Sequence, residues 1–536
     1  MNFLIPSVAI LFSFLATAIM SYISMAMPIG PWIESTLVLL GALIFHGILK
    51  LSLSKRTAAL GLTTVAGGIA GSSAIACAFA FPSLYFLDMP LFNTWMNSPF
   101  YFFGIMAALV IAAGSFGFLI AHIFEEKFLR DTTMTFPIGQ LVAKTIAAQN
   151  QLRKAIELVG GMLSVVIFAL VQIFTKKIPH TLTLLKKQAF CFLTVPSVVV
   201  TPEIIPFLIA IGFVTGHVIA IPLAVGIISK ISIIDPLQQW FFKDLSSENF
   251  LIAFTSGMVV QGALMSVFDI PTIITSTFKK MRKQADNDEH SLFSLLLQAI
   301  ITKQAALILL AVIILLCCAQ FSIFSQIYLL LFTAICTYQL LIIAGKLGIA
   351  PLGRFATFVL LPGLLFFGYN NIQIMLVSTF VELCGIVAVN CLFGRKMAQL
   401  THIERAQIVL YQWIGLLVSA LSIGIIFWLL IKHFGLGSAE LCAQKAYLRA
   451  LLVQSYNFNY IVIVLGGLFG FMLKYIKVNP MLVLGGLLMR NDYSLLLILG
   501  GFGSYIVRDK EAYYPFWSGV FAASSLYMII KALMRW

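Results

Sequence analysis

The segment Thr135-Phe136-Pro137-Ile138-Gly139-Gln140-Leu141-Val142-Ala143-Lys144 is the sharpest local departure in the chain. Pro137 suits a first helical turn, where the N–H it lacks has no partner anyway. The free N–H groups of such a start carry partial positive charge that suits an anionic group, and Lys144 adds a cation. Phe136, Pro137, Gly139, Gln140 and Lys144 are therefore read as substrate-binding residues on a half-helix inserted towards a site. A surface helix joining two spans accounts for the same residues without a ligand.

A second set is ionisable: Glu34, Glu203, His217, Asp269, Glu382 and Asp492 lie in or beside apolar runs. Charge is expensive in hydrocarbon, so such groups face a cavity or a partner and can relay protons. Glu382 lies well inside the run 374–392 and is the proton-coupling candidate. His217, after Gly216, is either a hydrogen-bonded interior histidine or part of the binding site. A third set, Asn479, Pro480, Arg490 and Asp492, surrounds two short apolar pieces, Met481–Met489 and Leu495–Val507, with glycine pairs at Gly485-Gly486 and Gly500-Gly501. Pieces of this length do not cross a bilayer as ordinary helices, which suggests broken or re-entrant segments and a helical hairpin over 479–507. The eight cysteines show no CxxC pair and no zinc spacing, so no metal site, cofactor or disulfide framework is expected.

The elements that must position these residues are apolar helices. Hydrophobic residues make up 61% of 536 and charged ones 10%, and the mean hydropathy is +1.02. A helix crossing a ~30 Å hydrocarbon core uses about 20 apolar residues and satisfies its own backbone. The reading is thus an all-α, polytopic integral membrane protein with roughly 14 to 16 spans. Three regions are drawn: an N-terminal transmembrane half (1–278), a cytoplasmic linker (279–304) and a C-terminal transmembrane half (305–536). The N-terminus lacks the basic region of a cleavable signal and reads as the first permanent span. The net charge of +14 sits in short clusters between apolar runs, including Lys55 with Arg56, Lys279 to Lys283, and Arg395, Lys396 and Arg405. Basic residues so placed set membrane orientation rather than bind nucleic acid. No GxxxxGK[ST] pattern is present, so the chain shows no ATP site of this type.

The order of several motifs resembles the oligopeptide transporter (OPT) superfamily, which includes the yellow-stripe-like carriers, and its bacterial members. The similar pieces are Ala66-Gly67-Gly68-Ile69-Ala70-Gly71 running to Phe81-Pro82-Ser83-Leu84, Phe136-Pro137-Ile138-Gly139, Ile211-Gly212-Phe213-Val214-Thr215-Gly216, Arg395-Lys396-Met397-Ala398-Gln399-Leu400 through Gln407, and Lys477-Val478-Asn479-Pro480 to Gly485-Gly486-Leu487-Leu488-Met489. The resemblance implies a secondary active transporter, not an enzyme, moving oligopeptides or peptide-like metal chelates of siderophore type, driven by protons, in a bacterial inner membrane. Its partners would be that substrate and the lipid bilayer, with a homodimer left open. Two departures bear on coupling: Ile138 stands where the family often has an acidic or small residue, and Lys144 where it has a carboxylate. A channel or scramblase is the alternative class. An intramembrane serine protease built on Gly71-Ser72-Ser73-Ala74 would need a histidine in reach of the serine.

Overall fold

In the computed structural model the described residues are 4–26, 33–42, 44–45, 53–130, 134, 136–148, 152–175, 182–185, 188–190, 193–195, 198–200, 205–243, 245–247, 249–251, 253–255, 257–258, 260–261, 303–347, 350, 352–438, 441–454, 459–476, 478, 480–488, 491–507, 513, 515–517, 519–520, 523–524 and 527. Seven helices among them are long and apolar enough to cross a bilayer, and shorter apolar helices accompany them. The chain is a helical membrane-embedded protein. It divides into two compact units, one of residues 1–147 with 263–450 and the other of 148–262 with 451–536, so each unit takes segments from early and late sequence. The linker expected at 279–304 falls almost wholly outside the described residues, as do Glu203 and Asp269.

The first unit begins with α1 (Leu4–Ala26), α2 (Glu34–Ala42), α3 (Leu53–Ala80), α4 (Ser83–Leu87), α5 (Met89–Asn97), α6 (Pro99–Arg130) and α7 (Pro137–Ala148). It resumes with α12 (Lys303–Cys318), α13 (Ile323–Leu347), α14 (Leu352–Phe367), α15 (Asn371–Thr401), α16 (Arg405–Phe434) and most of α17 (Gln444–Gln454). At its centre α3 packs against α1, α2, α15 and α16, and α15 packs against α3, α6, α13 and α14. Small residues make this possible, since lipid provides no hydrophobic drive between helices and close backbone approach must supply dispersion instead. A Cβ on Gly415 would collide with the Ala66 carbonyl, and one on Gly117 would lie 2.5 Å from the Cys384 carbonyl.

Helix α15 is long because both ends are fixed by local chemistry. The Asn370 side chain accepts from Gln373 N (2.9 Å) while the Gln373 side chain accepts from Asn370 N (3.1 Å), a reciprocal cap that satisfies two orphan donors. The chain leaves the helix at His402 with φ 55°. Its 31 residues, about 46 Å at 1.5 Å per residue, exceed the expected span 374–392 at both ends, so Arg395 lies within a helix and is buried rather than in a loop. The connection between α4 and α6 is itself helical over Met89–Asn97. Asp88 accepts from Leu91 N (3.1 Å) and starts α5, which buries Phe92 and Trp95. Of the thiols expected in apolar runs, Cys77, Cys336, Cys384 and Cys391 are buried, whereas Cys317 and Cys318 are exposed at the end of α12.

The second unit contains α8 (Leu152–Thr175), α9 (Ile205–Thr215), α10 (His217–Ser229), a π-helical turn (Lys230–Ile234), α11 (Asp235–Phe241), α18 (Tyr460–Tyr475), α19 (Pro480–Leu488) and α20 (Asn491–Ile506). Four short strands modify the all-helical expectation. β1 (Leu182–Leu185) pairs antiparallel with β4 (Val198–Val200), and β2 (Gln188–Phe190) pairs with β3 (Leu193–Val195). The β-branched run Val198-Val199-Val200 fits a pleated strand. The stretch from Gln188 to Lys230 thus holds strands at Gln188–Phe190, Leu193–Val195 and Val198–Val200 and is helical from Ile205.

Candidate functional site

The polar interior of the first unit gathers residues that lie far apart in sequence. Glu34 opens α2 and is 4% exposed; Asn390 on α15 is 3% exposed. Asn390 Nδ2 donates to Glu34 Oε1 (2.6 Å) and to the Gly68 carbonyl on α3 (3.0 Å). Gly68 leaves room for this contact, because a Cβ there would sit 3.0 Å from both Glu34 Cγ and Oε1. Glu34 Oε2 is buried and finds no hydrogen-bond partner among the described residues.

Two turns earlier on α15, Glu382 has a different neighbour. The guanidinium of Arg449 on α17 donates through Nη2 to Glu382 Oε1 and through Nη1 to the Phe79 carbonyl (3.5 Å). That carbonyl is among the last four of α3, which a helix cannot satisfy by itself. Glu382 and Arg449 are both buried, at 1% and 6% exposure. A carboxylate taken out of water together with an arginine is compensated in charge, although the desolvation of both groups offsets much of the attraction. The Lys445 ammonium stands 3.4 Å from the centroid of the Phe79 ring, a cation–π contact beside the same helix end.

A third cluster lies where α6 meets the end of α15 and the start of α16. Arg395 Nη1 donates to Glu125 Oε2 (2.6 Å), while Arg405 reaches both Glu125 oxygens through Nε (2.9 Å) and Nη2 (2.6 Å) and also contacts His122 Nδ1 (3.0 Å). The sequence marked Arg395 and Arg405 only as topological charge. Nothing in the sequence signals that Glu125 binds them, because the residues concerned are about 270 to 280 positions apart.

The sequence-derived site residues are distributed between the units. Pro137 starts α7 as expected, after Phe136 in a left-handed conformation (φ 48°) that is uncommon for a bulky side chain and unfavourable before proline. Phe136 is 1% exposed, donates its N–H to the Gly345 carbonyl (2.7 Å) and meets the Phe393 ring edge-on. Gly139 is a packing position: a Cβ would come within 2.6 Å of the Phe393 carbonyl. Val142, Ala143 and Ile146 join the apolar cluster of Ala59, Leu60 and Met397, so one face of α7 is embedded in the unit. Gln140 is partly exposed, and Lys144 lies on α7 with its side chain outside the described residues. In the second unit His217 is the first residue of α10 and Asp492 the second of α20, both with side chains outside the described residues; Pro480 begins α19; Asn479 and Arg490 lie outside them altogether.

The apolar pieces of the second unit form one interrupted helix, α9–α10, and two short helices, α19 and α20. α9 and α10 are separated at Gly216, whose φ of 68° and ψ of −156° suit glycine alone. α9 packs along α20, and α10 along α19 and α20. Backbones touch at the crossings: a Cβ on Gly212 would be 3.0 Å from Gly500 Cα, and one on Gly226 2.8 Å from Gly486 Cα. Of the serines in the protease alternative, Ser72 and Ser73 both donate to the Ile69 carbonyl of their own helix (2.9 Å each). No protein-family model matches the chain, and no curated protein matches it.

Proposed function

We propose that the protein is a secondary active transporter for oligopeptides or peptide-like metal chelates, coupled to protons and seated in a bacterial inner membrane. The observation that carries this reading is the interrupted helix α9–α10, laid through glycines against the short helices α19 and α20. Discontinuous helices of this kind expose backbone groups at membrane depth, which is tolerated where they line a cavity and is the usual construction of a transporter's substrate site. Residues at these helix ends, His217, Arg490 and Asp492, together with Asn479 and Pro480, are the proposed substrate contacts there, and the α7 start with Lys144 is a proposed contact for an anionic substrate group. The motif order shared with the OPT superfamily supports the substrate class.

The test is uptake by proteoliposomes offered labelled di- to pentapeptides and ferric siderophores, with and without an inward proton gradient. Saturable uptake and counterflow of one class are expected. Flux without counterflow would indicate a channel, and no flux of either class would remove the substrate assignment.

A further inference from the structure

We propose that Glu34 is a proton-binding site of the first unit: its carboxyl, buried away from any cation among the described residues, holds a proton on Oε2 while Oε1 accepts from the Asn390 amide, and exchanges that proton during the working cycle. The coupling part of this proposal rests on the transporter reading above; the protonation part does not.

Three buried carboxylates decide the matter by comparison. Glu125 is bound by Arg395 and Arg405, and Glu382 by Arg449. Glu34 is buried equally well and no cation binds it among the described residues. An interior carboxylate either meets a cation or takes up a proton, because an isolated charge there is too costly. The amide beside it rules out a metal ion, while the proton is favoured by burial without a cation. The Gly68 carbonyl can only accept, so the Asn390 NH2 group must face it, and the second N–H of that group points at Glu34 Oε1. A metal cation would need the amide oxygen in that place. Oε2, with no partner among the described residues, is the atom left for the proton.

Among the described residues the surroundings are uncharged. Gly67, Gly68 and Gly71 of α3 lie against Leu37, Glu34 and Ile33, Ala16 and Met20 of α1 flank Gly71, and α15 contributes Asn390. Ionisable groups on those helices are engaged elsewhere: Tyr22 beside Phe434, Cys77 near Glu382, Cys384 at Thr337, Cys391 at Gln412, Glu382 with Arg449, Arg395 with Glu125 and Lys396 at Gln399. Lys55 and Arg56 belong to the far end of α3, three turns before Gly68. Protonation makes and breaks one O–H bond, the proton coming from and returning to water.

The experiment is infrared difference spectroscopy of the full chain in nanodiscs, comparing acidic with alkaline buffer in H2O and D2O. A protonated-carboxyl C=O band that shifts in D2O is expected, and it should vanish in Glu34→Gln. Persistence of the same band in Glu34→Gln overturns the proposal. A variant-free measurement uses dicyclohexylcarbodiimide, an apolar reagent that attacks protonated carboxyls, followed by peptide mass spectrometry. Labelling at Glu34 that falls with rising pH supports the assignment, and labelling at Glu382 in preference to Glu34 overturns it. If no substrate shows counterflow while the Glu34 band is present, the transporter reading fails and the proton site stands; counterflow without the band gives the reverse.

Discussion

The two units hold their helices together by different chemistry. Glycine crossings occur in both, but among the described residues buried arginine–carboxylate contacts occur only in the first. Glycine contacts gain dispersion between backbones and no electrostatic selectivity, whereas an ion pair has one correct partner and a penalty for every other. The first unit therefore has its helix register fixed by charge, and the second has its short helices held by shape. Within the first unit the contrast is repeated at smaller scale, between Glu382 with its arginine and Glu34 with only an amide.

The sharpest way to break this comparison is Arg449→Met. It leaves Glu382 buried without its compensating cation, and we expect a loss of about 3–5 kcal/mol. The double variant Glu382→Leu/Arg449→Met should recover most of that loss, as read by thermal unfolding in detergent. Equal instability of single and double variants would show that the contact is not a buried ion pair. Next in size, Gly500→Ala and Gly226→Ala should each cost about 1–3 kcal/mol, because the new Cβ meets backbone that cannot rotate away. Gly160→Ala, where a Cβ would meet nothing, is the control and should leave the melting temperature in place.

Smaller still is Arg405→Gln. The side chain of Arg405 is 57% exposed while that of Arg395 is 5%, so removal of Arg405 should cost under about 1 kcal/mol and less in high salt. Arg395→Gln should cost more and respond less to salt. The smallest effect is expected from Glu34→Gln. If the carboxyl is already neutral, the change in stability stays within about 0.5 kcal/mol, well below that of Glu382→Gln, which leaves Arg449 unpaired. Comparable losses in the two glutamine variants would erase the distinction between the two carboxylates.

The helical membrane class was legible because a bilayer demands long apolar runs, and composition records them directly. Pro137 and Pro480 marked helix starts, since proline acts through its own backbone. The interruption at Gly216 lay in a quoted motif, yet its break depends on a positive φ that the residue type permits but does not require. Partners were not legible. Glu382 stood out in its apolar run, but Arg449 belongs to α17, whose mixed polar and apolar residues do not read as a span, and Glu34 and Asn390 are 356 positions apart. The strands at 182–200 were hidden for a related reason, because a short apolar run suits strand and buried helix alike.

The Glu125 cluster has a mechanical consequence. One carboxylate is gripped by Arg395 and Arg405, so the ends of α6, α15 and α16 share a single pivot. Sliding α6 against α15 by one turn, about 5.4 Å, would strand the buried Glu125 and Arg395 charges, whereas Arg405, more than half exposed, only reinforces the contact from α16. Helices α6 and α15 therefore travel as one stiff block in any rearrangement of the unit, and the chain already turns just outside it, at the left-handed Phe136 that leads into α7.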